Sequence, residues 1–180
     1  MKRLLPLLLA LMVLPITALF PAGQTRAQGE TLVRVSPAQV TLAPGQSTTI
    51  AVWVENVEDL FGFELELRYN PQFISASGLE PGSFLELGWI VQNEINDEQG
   101  IILFDMSQKG LETESKSGSG VLIQFEITLL AETAHTDIWI EHVLLTDRDS
   151  FEINCDVQHG SVRSPGAVSV HQLYLPLVLR

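Results

Sequence analysis

The sequence predicts an all-β protein, a jelly-roll β-sandwich of about nine strands, and three observations carry that prediction. Apolar and polar residues alternate with period two through most of the chain after Gln28, the mark of strands with one buried and one solvated face. Turn residues rich in Gly, Pro, Asn and Asp recur between the alternating runs. No stretch sustains a 3.6-residue apolar period for three turns, which removes the α/β enzyme folds.

In chain order, Lys2 and Arg3 precede an apolar run from Leu4 to Phe20, broken by Pro6 and Pro15 and followed by Pro21 and Gly23. A charged head, a leucine-rich core and the small-residue site around Thr25-Arg26-Ala27 predict an export signal over residues 1–27. The run is short for a membrane span, and a retained anchor is the competing reading. Leu32, Val33 and Val35 open the body. Ser36-Pro37 turns, Val40 and Leu42 resume, and Pro44-Gly45 turns again. Thr48–Glu55 places Ile50, Val52 and Val54 on one side, with Trp53 opposite. Phe61–Tyr69 sets Phe63, Leu65, Leu67 and Tyr69 against Glu64, Glu66 and Arg68, and Asn70-Pro71 ends it.

Shorter strands are expected at Phe73–Ser77, Trp89–Ile95 and Ile101–Ser107, the last two joined by the hairpin-length loop Asn96–Gly100. Lys109–Gly120, rich in Ser, Gly, Thr and Glu, reads as a solvated loop. Val121–Leu130 points Val121, Ile123, Phe125, Ile127 and Leu129 to one side. Asp137–Leu145 points Ile138, Ile140 and Leu144 inward, and Phe151–Val157 with Ser161-Val162 closes the body. The resulting organisation is a signal at 1–27, one β-sandwich domain at 28–163, and a linker with a short apolar tail at 164–180.

Composition limits function. The 180 residues suit one domain of ordinary size, and 46% hydrophobic content argues against disorder. Twenty-two acidic side chains against ten basic ones give a net charge of −12. Loss of Lys2, Arg3 and Arg26 with the signal leaves seven basic residues and a charge of −15. Nucleic-acid binding, which depends on clustered Lys and Arg, is excluded on that ground, and anionic membrane surfaces are disfavoured. Cys155 stands alone, so it is either a small hydrophobe or a thiol free for intermolecular pairing.

The ordered features from Val33 to Val162 resemble a cohesin module. They are Ala43-Pro44-Gly45-Gln46 leading into Ile50–Val54, then Gly62–Pro71 with its Tyr69-Asn70-Pro71 ending. Gly118-Ser119-Gly120 leading to Phe125 follows, and Gly160-Ser161-Val162 closes the series. Asn70 stands where the family usually has Asp, a conservative change in a turn. No second module or linker array accompanies it. The resemblance implies a non-catalytic jelly roll that docks a dockerin-type partner on the flat face of one sheet. By the same resemblance that sheet combines the strands at 61–69, 89–95, 101–107 and 137–145.

The partner-binding residues expected there are Glu64, Glu66, Arg68, Trp139 and Glu141. Alternation puts Trp139 among the carboxylates Asp137 and Glu141, where it is either an interface anchor or packed against a loop or Arg68. The glutamates are equally the solvated half of a strand. A carbohydrate-binding module is the alternative, with Trp53 and Trp89 stacking sugar rings of a polysaccharide.

Enzyme readings are weaker. Glu64 with Glu66, or Asp147 with Asp149, imitates a glycosidase dyad without a cleft to desolvate it. His135, His142, His159 and His171 lack metal-ligand spacing. Asp147-Arg148-Asp149 with Glu152 has oxygen ligands for Ca²⁺ but not EF-hand spacing. No cofactor is called for, since a dockerin carries its own calcium. The terminal Tyr174–Arg180 segment resembles the short Tyr-Leu-Pro-Leu-Val tails of some exported bacterial proteins. The expected setting is therefore extracellular, at the cell surface, in polysaccharide breakdown.

Overall fold

The computed structural model describes residues 29–85, 88–110 and 113–167. The signal at 1–27, His171 and the apolar tail from 168 onward lie outside the described residues. Among those described, every regular element is a strand, and none is a helix long and apolar enough to cross a membrane. The strands are β1 (Leu32–Ser36), β2 (Gln39–Thr41), β3 (Ser47–Leu60), β4 (Gly62–Tyr69), β5 (Ile74–Pro81), β6 (Gly88–Asn96), β7 (Ile101–Gln108), β8 (Lys116–Leu129), β9 (Thr136–Thr146), β10 (Asp156–Gln158) and β11 (Gly160–Arg163).

They form a five-stranded sheet in the order β10-β1-β3-β8-β5 and a six-stranded sheet in the order β2-β11-β9-β4-β7-β6. The four strands expected to share a sheet, β4, β6, β7 and β9, do so. The alternating residues meet between the layers. Ile50, Val52 and Val54 from β3 and Ile123, Phe125, Ile127 and Leu129 from β8 are buried in one core with Phe63, Leu65, Leu67, Ile102 and Phe104 of the other sheet. Phe63 and Phe104 stack with centroids 5.9 Å apart. Each such side chain contributes about 1.5–3 kcal/mol of burial, enough in sum to hold the layers together. At one end Gly160 is required: a Cβ there would lie 2.5 Å from Val35 Cγ1, so only glycine lets β11 pass so close to β1.

Several expectations need correction, and bulges explain most of them. Pairing of β4 with β9 shifts register between Glu66 and Leu67, leaving Glu141 as an extra residue on β9. One inserted residue reverses the alternation beyond it. Leu144, expected inside, therefore faces outward, and Leu145 takes the core position. A second shift between Val52 and Trp53 turns Val121 outward beside Trp53 and buries Leu122.

The expected loop Lys109–Gly120 is shorter than read, because Lys116–Gly120 belongs to β8 and pairs with an extension of β3. Asn56 and Asp59 hold positive φ in that extension. Their backbone N–H groups donate to Ser119 Oγ (3.0 Å) and Ser117 Oγ (2.9 Å), so serine hydroxyls replace ladder bonds the bulges interrupt. Phe151–Cys155 is no strand. Glu152 makes one bridge to Thr146, and only Asp156–Gln158 pairs regularly.

Asp97, in the β6–β7 turn, ties the two sheets together. Its Oδ1 accepts the Tyr69 hydroxyl (2.6 Å) and the Ala76 amide (2.8 Å), and its Oδ2 accepts Ser75 Oγ (2.8 Å). Burial acts to raise its pKa, but these three donors outweigh that and hold the carboxyl below the usual aspartate range. The Tyr69 phenol moves the other way, pushed up by burial and then by its bond to the Asp97 carboxylate.

Candidate partner-docking face

The outer face of the six-stranded sheet is built by the same alternation that fills the core. Successive rows run across β9, β4 and β7: Trp139, Arg68 and Ile101; His142, Glu66 and Leu103; Leu144, Glu64 and Asp105; Thr146, Gly62 and Ser107. Strand β6 extends these rows with Asn96, Glu94, Gln92 and Trp89. The structure thus brings Glu64, Glu66, Arg68, Trp139 and Glu141 onto one surface, Glu141 as the bulged residue.

The middle strand β4 carries Glu64, Glu66 and Arg68 across that surface, with apolar side chains on both flanks, Ile101 and Leu103 on β7 and Leu144 on β9. Ile101, Leu103 and Leu144 are half-buried there, residues the sequence reading passed over. The available signal was β7 itself, where Ile101 and Leu103 face away from Ile102 and Phe104 and so leave the strand apolar on both sides. Carboxylates are interleaved with these apolar residues: Glu64, Glu66, Glu94, Asp105, Asp137 and Glu141. Two of them have side-chain partners. Glu66 Oε1 takes Arg68 Nη2 at 2.5 Å along the same strand, and Asp137 Oδ1 lies 2.8 Å from His135 Nε2. Burial raises the pKa of Asp105, and the neighbouring Glu64 charge raises it further while His142 opposes.

Trp139 is 46% exposed and stacks on His159, with centroids 3.6 Å apart and planes 17° from parallel. His159 Nδ1 accepts the Ile140 N–H at 3.1 Å, which fixes the imidazole with its proton on Nε2 and so fixes the indole. The ring's stacking partner is thus the connection between β10 and β11, and not Arg68. The open side borders a groove of about 420 Å³ that also includes Arg68, Asn70, His135 and Asp137.

The other tryptophans lie elsewhere. Trp53 sits half-buried on the outer face of the five-stranded sheet, with the Arg34 guanidinium 5.7 Å from its ring centre. Trp89 is 63% exposed on the edge strand β6, with Lys109 Nζ 5.8 Å from its ring centre. No common platform joins them.

The remaining candidates serve local structure. Asp147 Oδ1 accepts the N–H groups of Asp149 and Phe151, both at 2.9 Å, so that carboxylate caps its own turn. Among the described residues no group of three or more His, Cys, Asp or Glu converges to hold an ion. Cys155 is a free, half-buried thiol packed against the core, and burial first, then Asp156 and Glu152, push its pKa up.

With this geometry in hand, comparison with known families is decisive: the cohesin domain model matches residues 33–163, well over half the chain. The chain belongs to the cohesin family. Solved cohesins share its architecture at low identity. A non-cellulosomal cohesin from the hyperthermophilic archaeon Archaeoglobus fulgidus is 16% identical, with a TM-score of 0.63 over 78% of this chain and 93% of its own. The structure of a type I cohesin–dockerin complex from Clostridium thermocellum gives 17% identity and a TM-score of 0.64, covering 76% and 99%. A type II cohesin domain from the cellulosome of Acetivibrio cellulolyticus gives 16% and 0.63, covering 74% and 95%. Among curated proteins nothing matches this cohesin.

Proposed function

We propose that this cohesin is an exported, non-catalytic docking module that binds a dockerin-type partner on the outer face of its six-stranded sheet, at the cell surface. The observation that carries the reading is the composition of that face: half-buried Ile101, Leu103 and Leu144 stand among the carboxylates Glu64, Glu66, Glu94 and Asp105. Apolar side chains on such a face offer a partner burial, and the charged ones between them offer selectivity. The rigid sheet lowers the ordering cost of association. Family membership supports the partner class, since cohesins of similar fold occur in dockerin complexes. The charged, leucine-rich segment at 1–27 supports export.

The test is calorimetric titration with dockerin modules encoded by the same genome. One or more should bind. Leu103→Asp should weaken that binding about 100-fold or more by replacing an apolar contact with a charge, without unfolding the sandwich. Tight binding that Leu103→Asp leaves unchanged would remove the face from the account.

A further inference from the structure

The sheet face has, besides the groove at Trp139, a cleft of about 130 Å³ over Gly62. It exists because three features coincide. Gly62 lacks a side chain in the row where its neighbours Ser107 and Thr146 have them. The β9 bulge turns Leu144 outward beside it, and an irregularity in β6 between Ile90 and Gln92 leaves Val91 72% exposed across from it. Glu64 and Asp105 stand on the rim, directly opposite each other on β4 and β7. Like charges so placed repel. Among the described residues no Lys or Arg meets either carboxylate and no hydrogen-bond donor satisfies either one, and the cleft lining contains no cation.

We propose that this cleft is a specificity pocket for a single basic side chain, Lys or Arg, presented by the docking partner. The methylene stem would lie between Val91 and Leu144, and the charged head would bridge Glu64 and Asp105. Apolar walls with a charged mouth match a side chain that is itself an apolar stem with a charged tip. Charge complementarity selects this occupant: the cation relieves a repulsion the free protein carries, whereas an acidic or neutral side chain leaves it in place. The raised pKa of Asp105 fits a carboxylate held in a desolvated spot beside a like charge. The inference rests on the docking-face reading, and its test separates the two.

The ¹⁵N-labelled full chain is titrated at low salt with n-butylammonium, n-butylguanidinium and the neutral n-butanol, and amide shifts are followed by NMR. The two cations should shift Gly62, Val91, Asp105 and Thr146 together, and butanol should not. Gly62→Val should abolish the response by filling the cleft while keeping both charges. A Cβ at Gly62 would lie 3.1 Å from Thr146 Oγ1, a close contact that the threonine must shift to relieve. A melting curve of the variant therefore accompanies the titration, and Asp105→Asn carries the test where Gly62→Val is destabilised. Asp105→Asn should weaken the response about tenfold. Shifts that are absent, or that spread over all surface acids and persist in Gly62→Val, overturn the pocket. In a parallel arm, Gly62→Val should lower the affinity of a bound dockerin module about tenfold or more. Failure of every dockerin to bind removes the docking reading, while the amine titration still decides the cleft.

Discussion

The two outer faces of the sandwich are made by the same alternation, yet they end differently. On the five-stranded sheet the polar side chains largely satisfy one another. Arg34 Nε donates to Glu55 Oε1 at 2.6 Å with its guanidinium near Trp53, Ser47 and Thr128 hydroxyls bond at 2.8 Å, and Gln124 donates to Glu80 at 3.3 Å. On the six-stranded sheet Ile101, Leu103 and Leu144 stay part-exposed, and Glu64 and Asp105 face each other without a cation. A surface closed on itself has little left to offer a partner. A surface whose complementary groups are missing has them left to offer, and that difference is why the docking face is proposed on the six-stranded sheet.

Paired tryptophan substitutions test this contrast most severely. Trp139→Ala should weaken dockerin binding about thirtyfold with little change in melting temperature, because the His159 stack presents an indole the partner uses. Trp53→Ala should do the reverse, costing about 1 kcal/mol of stability through its lost contact with Arg34 and leaving binding unaltered. Equal binding losses from both would erase the distinction between the faces.

Asp97→Asn should cost about 1–2 kcal/mol in urea unfolding, a modest figure because the carboxylate is solvent-exposed, and it should loosen both sheets together. The sign with pH follows from its lowered pKa. The contribution is complete above the ordinary aspartate value of about 3.9 and disappears as pH falls through the lower folded value. The wild-type and Asp97→Asn stability curves should therefore converge in acid. Gln108 is 5% exposed, and its amide finds no partner among the described residues. Gln108→Met should add about 1 kcal/mol in the same assay by removing an unsatisfied polar group from the interior. Smallest of all, a double-mutant cycle on Arg34 and Glu55 should return about 0.5 kcal/mol, as part-exposed ion pairs do.

Much of the fold was legible because strand alternation is local: Ile50, Val52 and Val54, or Phe63, Leu65 and Leu67, declare their buried side without reference to a partner strand. The bulges were not legible. Whether Leu144 or Leu145 enters the core depends on how β9 registers against β4, and nothing within β9 states it. Ser117 and Ser119 looked like loop because their role is to accept N–H groups from Asn56 and Asp59, far away in sequence. The charged and aromatic members of the candidate site could be placed by parity alone. Its apolar members were harder to place, because Ile101 and Leu103 alternate with the equally apolar Ile102 and Phe104 and only the sheet pairing shows which pair faces out.

The pairing of the chain's extremities has a mechanical consequence. Strand β1 lies parallel to β10, and β2 lies parallel to β11, so each sheet pairs one of the first two described strands with one of the last two. Opposed tension on the N-terminal end of one such strand and the C-terminal end of its neighbour slides them lengthwise. All the hydrogen bonds between them must then give way at once instead of peeling apart one after another. A tether anchored at one extremity and pulled at the other would be held by its stiffest axis.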